Sequence, residues 1–114
     1  MEPIRAEKPW GSMEWLVDDR IVPHVGFSLA RMNLKEGMIS PKHRHSNCSE
    51  LIYVLEGTVE QHGDHRKSVL SRGQSFFIQP GEAHYSVNIS PKAAIMLLSY
   101  SSGTRLYEPI PSKE

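Results

Sequence analysis

Residues 37–57 read GMISPKHRHSNCSELIYVLEG, and the order of side chains in this stretch governs how the rest of the chain is read. His43 and His45 stand two apart, Glu50 follows five residues later, and the apolar run Leu51 to Leu55 ends at Glu56-Gly57. Alternate residues of an extended strand project to one face, about 7 Å apart, so two imidazoles placed this way can converge on one ion. The segment Ser46 to Ser49 can turn the chain back, which lets Glu50 enter at the start of the next strand and supply an anionic oxygen. A third nitrogen must come from elsewhere, and His84 offers it, just past the Pro80-Gly81 turn in GQSFFIQPGEAHYSVN. Three neutral imidazoles and one carboxylate suit a single divalent transition metal ion: Fe, Mn, Ni, Cu, Co or Zn. In an octahedral ion they leave two positions open for water, dioxygen or a bidentate substrate, which separates such a site from a closed structural one.

Outward from this stretch, apolar residues recur with period two or in short runs broken by Gly, Pro, Ser and Asn, and no long segment has helical spacing. The pattern predicts an all-β chain with strands at Met13 to Val17, Gly26 to Leu34, Leu51 to Leu55, Thr58 to His62, Ser68 to Leu70, Ser75 to Ile78, His84 to Val87 and Ala93 to Tyr100. Their spacing of roughly 8 to 12 residues is that of a sandwich or barrel of short antiparallel strands. Turns are expected at Glu56-Gly57, His62-Gly63-Asp64, Arg72-Gly73 and Pro80-Gly81. Both tails are rich in Pro and charge, and are expected to be loose or to dock on a partner subunit.

The 114 residues suffice for one domain with its own core. Thirteen basic residues balance thirteen acidic ones without runs, so neither nucleic acid nor a membrane surface is an expected partner. Cys48 is the only cysteine, which rules out an intrachain disulfide and fits a reducing compartment. MEPIRAEKPW has no apolar stretch of signal-peptide type, and the apolar run Ala93 to Leu98 is too short to span a bilayer. A cytoplasmic location is the resulting expectation.

Together these residues resemble the cupin superfamily in its small, single-domain form. Its first motif, G-x5-H-x-H-x3-4-E-x6-G, is met by Gly37, His43, His45, Glu50 and Gly57. Its second, G-x5-P-x-G-x2-H-x3-N, is met by Gly73, Gly81, His84 and Asn88, while Gln79 stands where the motif has proline and Pro80 fills the position after it. That departure touches turn rigidity and not the ligand set. The resemblance implies an antiparallel jelly-roll barrel of six to eight strands, a metal held in its mouth by His43, His45, Glu50 and His84, and a homodimer. It implies one domain over residues 1–114, with the barrel core at about 24–101 between flanking tails.

Other residues carry weaker signals. His24, His62 and His65 are read as ordinary polar or turn residues, and Cys48 as a small buried apolar group and not a metal thiolate. Arg31 and Asn33 share a strand face with Phe27 and Leu29, and either this face or that of Ser28, Ala30, Met32 and Leu34 can be the inner one. Arg31 is thereby a candidate substrate contact, with Tyr53 and Glu82 as candidate acid–base groups; Tyr53, Phe76, Phe77, Tyr85 and Tyr100 are otherwise core or interface aromatics. Lys42 and Arg44 flank the first ligand as solvent-facing charges. Glu7-Lys8-Pro9-Trp10-Gly11 resembles a stretch preceding the cupin domain of some mannose-6-phosphate isomerases, although Trp10 and Trp15 are read first as anchors of an N-terminal strand, exchanged or not with a dimer partner.

Fold and ligand set do not select a reaction. The leading expectation is a metal-dependent enzyme acting on a small oxygen-rich metabolite by oxygenase-type chemistry. The alternatives are a sugar or sugar-phosphate isomerase or epimerase, and a non-catalytic small-ligand-binding or sensor module.

Overall fold

A computed structural model describes residues 1–111 and is antiparallel β throughout, with no helix among the described residues. Its strands are β1 (Ile4–Lys8), β2 (Gly11–Val17), β3 (Ser28–Leu34), β4 (His43–Arg44), β5 (Glu50–Glu56), β6 (Thr58–Gly63), β7 (Arg66–Ser71), β8 (Ser75–Ile78), β9 (Tyr85–Asn88), β10 (Ala94–Tyr100) and β11 (Glu108–Pro109). A six-stranded sheet runs β1-β2-β3-β10-β5-β8, a three-stranded sheet runs β7-β6-β9, and β11 pairs with β4. All eight strands expected from the sequence are present, with ends shifted by at most two residues. The three further strands, β1, β4 and β11, are short or highly polar. Because β1 pairs with β2 and β11 with β4, both tails dock on the chain's own barrel.

Strand alternation decides which side chains enter. On β10, Ala94, Met96, Leu98 and Tyr100 are buried, and on β5 Glu50, Ile52 and Val54 are. On β3 the buried set is Ser28, Ala30, Met32 and Leu34. Arg31 therefore points out of the sheet, the opposite of a substrate contact. The same register puts Tyr53 on the outer face, 39% exposed, beside the exposed Leu51 and Phe77. Phe76 and Tyr100 belong to the core cluster.

The polar inner residues are tied off. Asn88 donates its amide to the carbonyls of Leu34 (2.9 Å) and Lys92 (2.8 Å) and accepts from the backbone N–H of Ser90 (2.9 Å), locking the end of β9 to β3 and to the turn before β10. Gln61 donates to the Tyr85 carbonyl at 3.0 Å, and Ser86 N–H donates to Ser40 Oγ at 2.8 Å.

Gly57 turns the chain between β5 and β6 at φ +87°, and a Cβ there would lie 3.0 Å from Ala94 and from Ser90 Oγ. Gly73 has the same φ but open space around it. Gly73→Ala should therefore cost only the backbone strain, about 1 kcal/mol, while Gly57→Ala adds a steric conflict and should cost about 2–3 kcal/mol. Urea denaturation of the two variants side by side measures the difference.

Candidate metal centre

Four side chains from three segments meet at one end of the barrel. His43 and His45 flank Arg44 on and beside β4, so both rings point inward while Arg44 points out to a two-pronged ion pair with Glu108 (2.7 and 2.9 Å). Glu50 opens β5 as an inward residue, 3% exposed. His84 sits just before β9, held against His43 by reciprocal backbone hydrogen bonds: His84 N–H to the His43 carbonyl at 2.9 Å, and His43 N–H to the His84 carbonyl at 3.2 Å. The Gly81 N–H extends the pairing to the His45 carbonyl at 2.8 Å. One donor atom from each of His43, His45, Glu50 and His84 then lies within 4.8 Å of all the others.

Each imidazole is oriented by its far nitrogen. Nδ1 of His43 lies 2.8 Å from the Pro41 carbonyl, Nδ1 of His84 2.9 Å from that of Glu82, and Nδ1 of His45 2.9 Å from that of Leu106. A carbonyl can only accept, so each Nδ1 carries the proton, and each neutral ring turns its Nε2 lone pair toward the common centre. Nε2 of His45, Nε2 of His84 and Oε1 of Glu50 are buried without a hydrogen-bond partner. Three buried lone-pair atoms facing one another repel unless a cation lies between them, and nitrogen with carboxylate oxygen is the donor chemistry of a divalent transition metal. The residues fit such an ion.

Protonation follows the same geometry. Burial, aided by the neighbouring His84, holds His43 neutral down to about 4. Burial also lowers His45. His84 is the exception: burial would lower it, but Glu50, 3.1 Å away, and the Glu82 carbonyl together outweigh burial and raise it. Burial and Glu50 push the Cys48 thiol up and leave it in the core cluster, outside the four-residue group. They also hold the buried Tyr100 as a phenol.

The other candidates fall elsewhere. His24 and His65 take positive φ (58° and 57°) in turns, and His62 stacks on Tyr85 with its Nε2 at 2.6 Å from Glu60. Glu82 is no free acid–base group. Its carboxylate is clasped by Arg66 (2.8 and 2.9 Å) and by the N–H groups of Asp64 (3.0 Å) and Gln79 (3.1 Å). This clasp pins the turn whose Glu82 carbonyl orients His84, a positioning role in place of the acid–base one.

The remaining features of the site have no local sequence signature. Residues 104–109 cross the barrel mouth as a strap, in which Asn47 donates to the Thr104 carbonyl (2.7 Å) and accepts from the Leu106 N–H (2.9 Å), while the Tyr107 ring stacks on His43 at 4.7 Å. Above the four ligands opens a cavity of about 500 Å³ whose walls include Trp10, Trp15 and Arg105. Only the Glu7-to-Gly11 stretch hinted at Trp10.

A family model described as "Cupin domain" matches residues 30–100. Germin-like protein 3-8 of Oryza sativa subsp. japonica is 31% identical over 83 residues, which cover 68% of this chain and 37% of that protein, so the chain spans well under half the length of this relative. Among solved structures, an oxalate oxidase superposes with a TM-score of 0.80 at 24% identity, covering 89% of this chain and 56% of the other. The oxalate decarboxylase of Lactobacillus farciminis, in its formate complex, superposes with a TM-score of 0.82 at 20% identity, covering 95% and 33%. At these identities the structural likeness is one of fold.

Two outcomes check this geometry. His43→Ala combined with His45→Ala should lower bound metal from about one ion per chain to a trace, measured by elemental analysis, with the β circular dichroism retained. Glu82, held down to about 2 chiefly by its hydrogen bonds with Arg66, contributes stability that is fully present above its ordinary value near 4.5 and lost as pH falls toward 2. Glu82→Gln should cost about 1–2 kcal/mol at pH 7, kept small because Arg66 is part-exposed, and urea titrations should show the gap from wild type closing between about pH 4.5 and 2.

Proposed function

The chain belongs to the cupin family, and from that premise we propose that it is a metal-dependent enzyme that acts on a small oxygen-bearing molecule by oxygenase-type chemistry. His43, His45, Glu50 and His84 are the proposed ligands of one divalent transition metal ion. The observation that carries the reading is the set of buried, unpartnered atoms, His45 Nε2, His84 Nε2 and Glu50 Oε1, at the floor of an open cavity. A structural site would be sealed by protein; this one faces space for a substrate.

A bound ion of this kind supplies Lewis-acid or one-electron chemistry at the positions its protein ligands leave free. The chain's own residues do the rest. The carbonyls of Pro41, Glu82 and Leu106 hold the three rings in one tautomer, so no imidazole has to reorient during turnover. Tyr100, kept as a phenol, and the apolar walls around Ile52 and Leu98 keep the floor of the cavity short of water.

Isomerase or epimerase chemistry asks for a base beside the substrate. Among the described lining residues Glu50 is the only carboxylate, the three imidazoles belong to the same ligand set, and the Tyr100 and Tyr107 phenols are both pushed up, away from the range of a base, which leaves the Lys8 amine as the one remaining candidate. That supports the oxygenase-type reading over the sugar isomerase, even though Trp10 of the isomerase-like stretch lines the cavity. The binding-module reading is separated by turnover. Protein reconstituted with iron or manganese is expected to consume dioxygen with a substrate from a panel of small keto and hydroxy acids, followed by an oxygen electrode and product analysis. Metal at full occupancy, binding of a panel member and no turnover would replace the enzyme with a sensor.

A further inference from the structure

The cavity walls have a chemistry of their own. Trp10, Met13, Trp15, Met32, Ile52 and Leu98 make most of the lining apolar. Its neutral hydroxyls are few: Ser40 Oγ accepts from the Ser86 N–H, Ser86 Oγ donates to Gln61, and the phenols of Tyr100 and Tyr107 complete the set. A sugar carries more hydroxyls than these groups can pair, and burying the remainder is costly. A two-carbon dianion would leave most of a 500 Å³ cavity unfilled and touch none of the apolar wall with apolar surface.

The charged residues of the lining are uneven in sign. Lys8, Arg20 and Arg105 stand against Glu50 alone. Behind the wall, Asp18 is 1% exposed and serves both guanidinium groups, Arg20 at 2.7 Å and Arg105 at 3.4 Å. One carboxylate shared by two arginines leaves an excess of one positive charge. Arg105 is placed firmly: its guanidinium lies 3.6 Å from the centre of the Trp15 ring and 2.6 Å from Ser28 Oγ, and its side chain is 13% exposed. A guanidinium fixed on an aromatic wall is a geometry that recognises a carboxylate attached to an apolar body.

From this combination we propose that the cavity takes a small amphiphilic anion, its apolar body against Trp10 and Trp15 and its carboxylate facing Arg105. The proposal deepens the reading of this cavity as the substrate site and rests on it. Arg105 and Arg20 are then determinants of specificity, and sugars and two-carbon acids are poor ligands.

The chain has two tryptophans, and both line this cavity, so intrinsic fluorescence reports occupancy directly, without turnover. The full chain, metal-free and zinc-loaded, is titrated with phenylacetate, its neutral amide phenylacetamide, and oxalate. Phenylacetate should bind the metal-free protein about tenfold or more tightly than either of the others. Arg105→Gln should bring phenylacetate to within about threefold of the amide, and Arg105→Lys, which keeps the charge, should recover part of the preference. If circular dichroism shows that Arg105→Gln does not fold, Arg20→Gln, at a more exposed position, should narrow the same gap. Phenylacetate binding no more tightly than its amide, oxalate binding more tightly than phenylacetate, or an unchanged preference in a folded glutamine variant would overturn the proposal. Zinc content is read separately. A chain that prefers phenylacetate but takes up no zinc keeps this inference and sinks the metal reading, and a chain that loads zinc without the preference does the reverse.

Discussion

Three backbone carbonyls govern this molecule's chemistry. Those of Pro41, Glu82 and Leu106 each take the Nδ1 proton of one histidine and so aim three Nε2 lone pairs at a single point beside Glu50. They come from distant parts of the chain: the approach to β4, the turn before β9, and the strap after β10. The barrel must therefore be closed and the strap laid down before the ligand set is complete. Burial of His45, Glu50 and His84 without a counter-ion is unfavourable, and the fold tolerates it because the inward donors face a place where a cation can sit.

The strands serve two ends of the barrel at once. On β5, Glu50 reaches the ligand cluster, Ile52 lines the cavity and Val54 packs in the closed core. On β10, Tyr100 and Leu98 line the cavity while Met96 and Ala94 are fully buried below it. Because all inward residues of a strand share one face, core packing sets the register that aims the site residues, and a one-residue slip would turn Glu50 out to solvent. Stability and site geometry are consequently coupled through the same β5–β10 and β3–β10 ladders.

The polar attachments around the mouth act as ties. Glu82 and Arg66 pin the turn that presents His84; Asn47 and the Arg44–Glu108 pair pin the strap that presents the Leu106 carbonyl. Asp18 and Asp19 anchor the segment after β2, Asp18 through both arginines and Asp19 through Thr104 Oγ1 (2.6 Å) and the Val25 N–H (3.1 Å). Each tie joins residues that touch only when the chain is closed, which links the order of the mouth to the order of the whole barrel.

Much of this was legible in the sequence because it depends on local periodicity and residue type. Alternation gave eight strands to within one or two residues, and imidazole and carboxylate spacing singled out the four residues that the fold gathers. Asn88 and Gly57 stood in the motifs, and the structure supplies their reasons: a two-sided amide tie and a turn with no room for a Cβ. What the sequence left open was decided by contacts among distant residues. Period two divides β3 into two faces but does not say which is inside; packing on β10 buries Ala30 and Met32 and turns Arg31 out. Tyr53 is outward for the same reason, and Glu82 is engaged by Arg66 across sixteen positions of sequence. The carbonyl of Leu106, sixty-one positions from the His45 it orients, could not be singled out from sequence, because every residue carries a carbonyl and only the closed chain selects which one meets the ring.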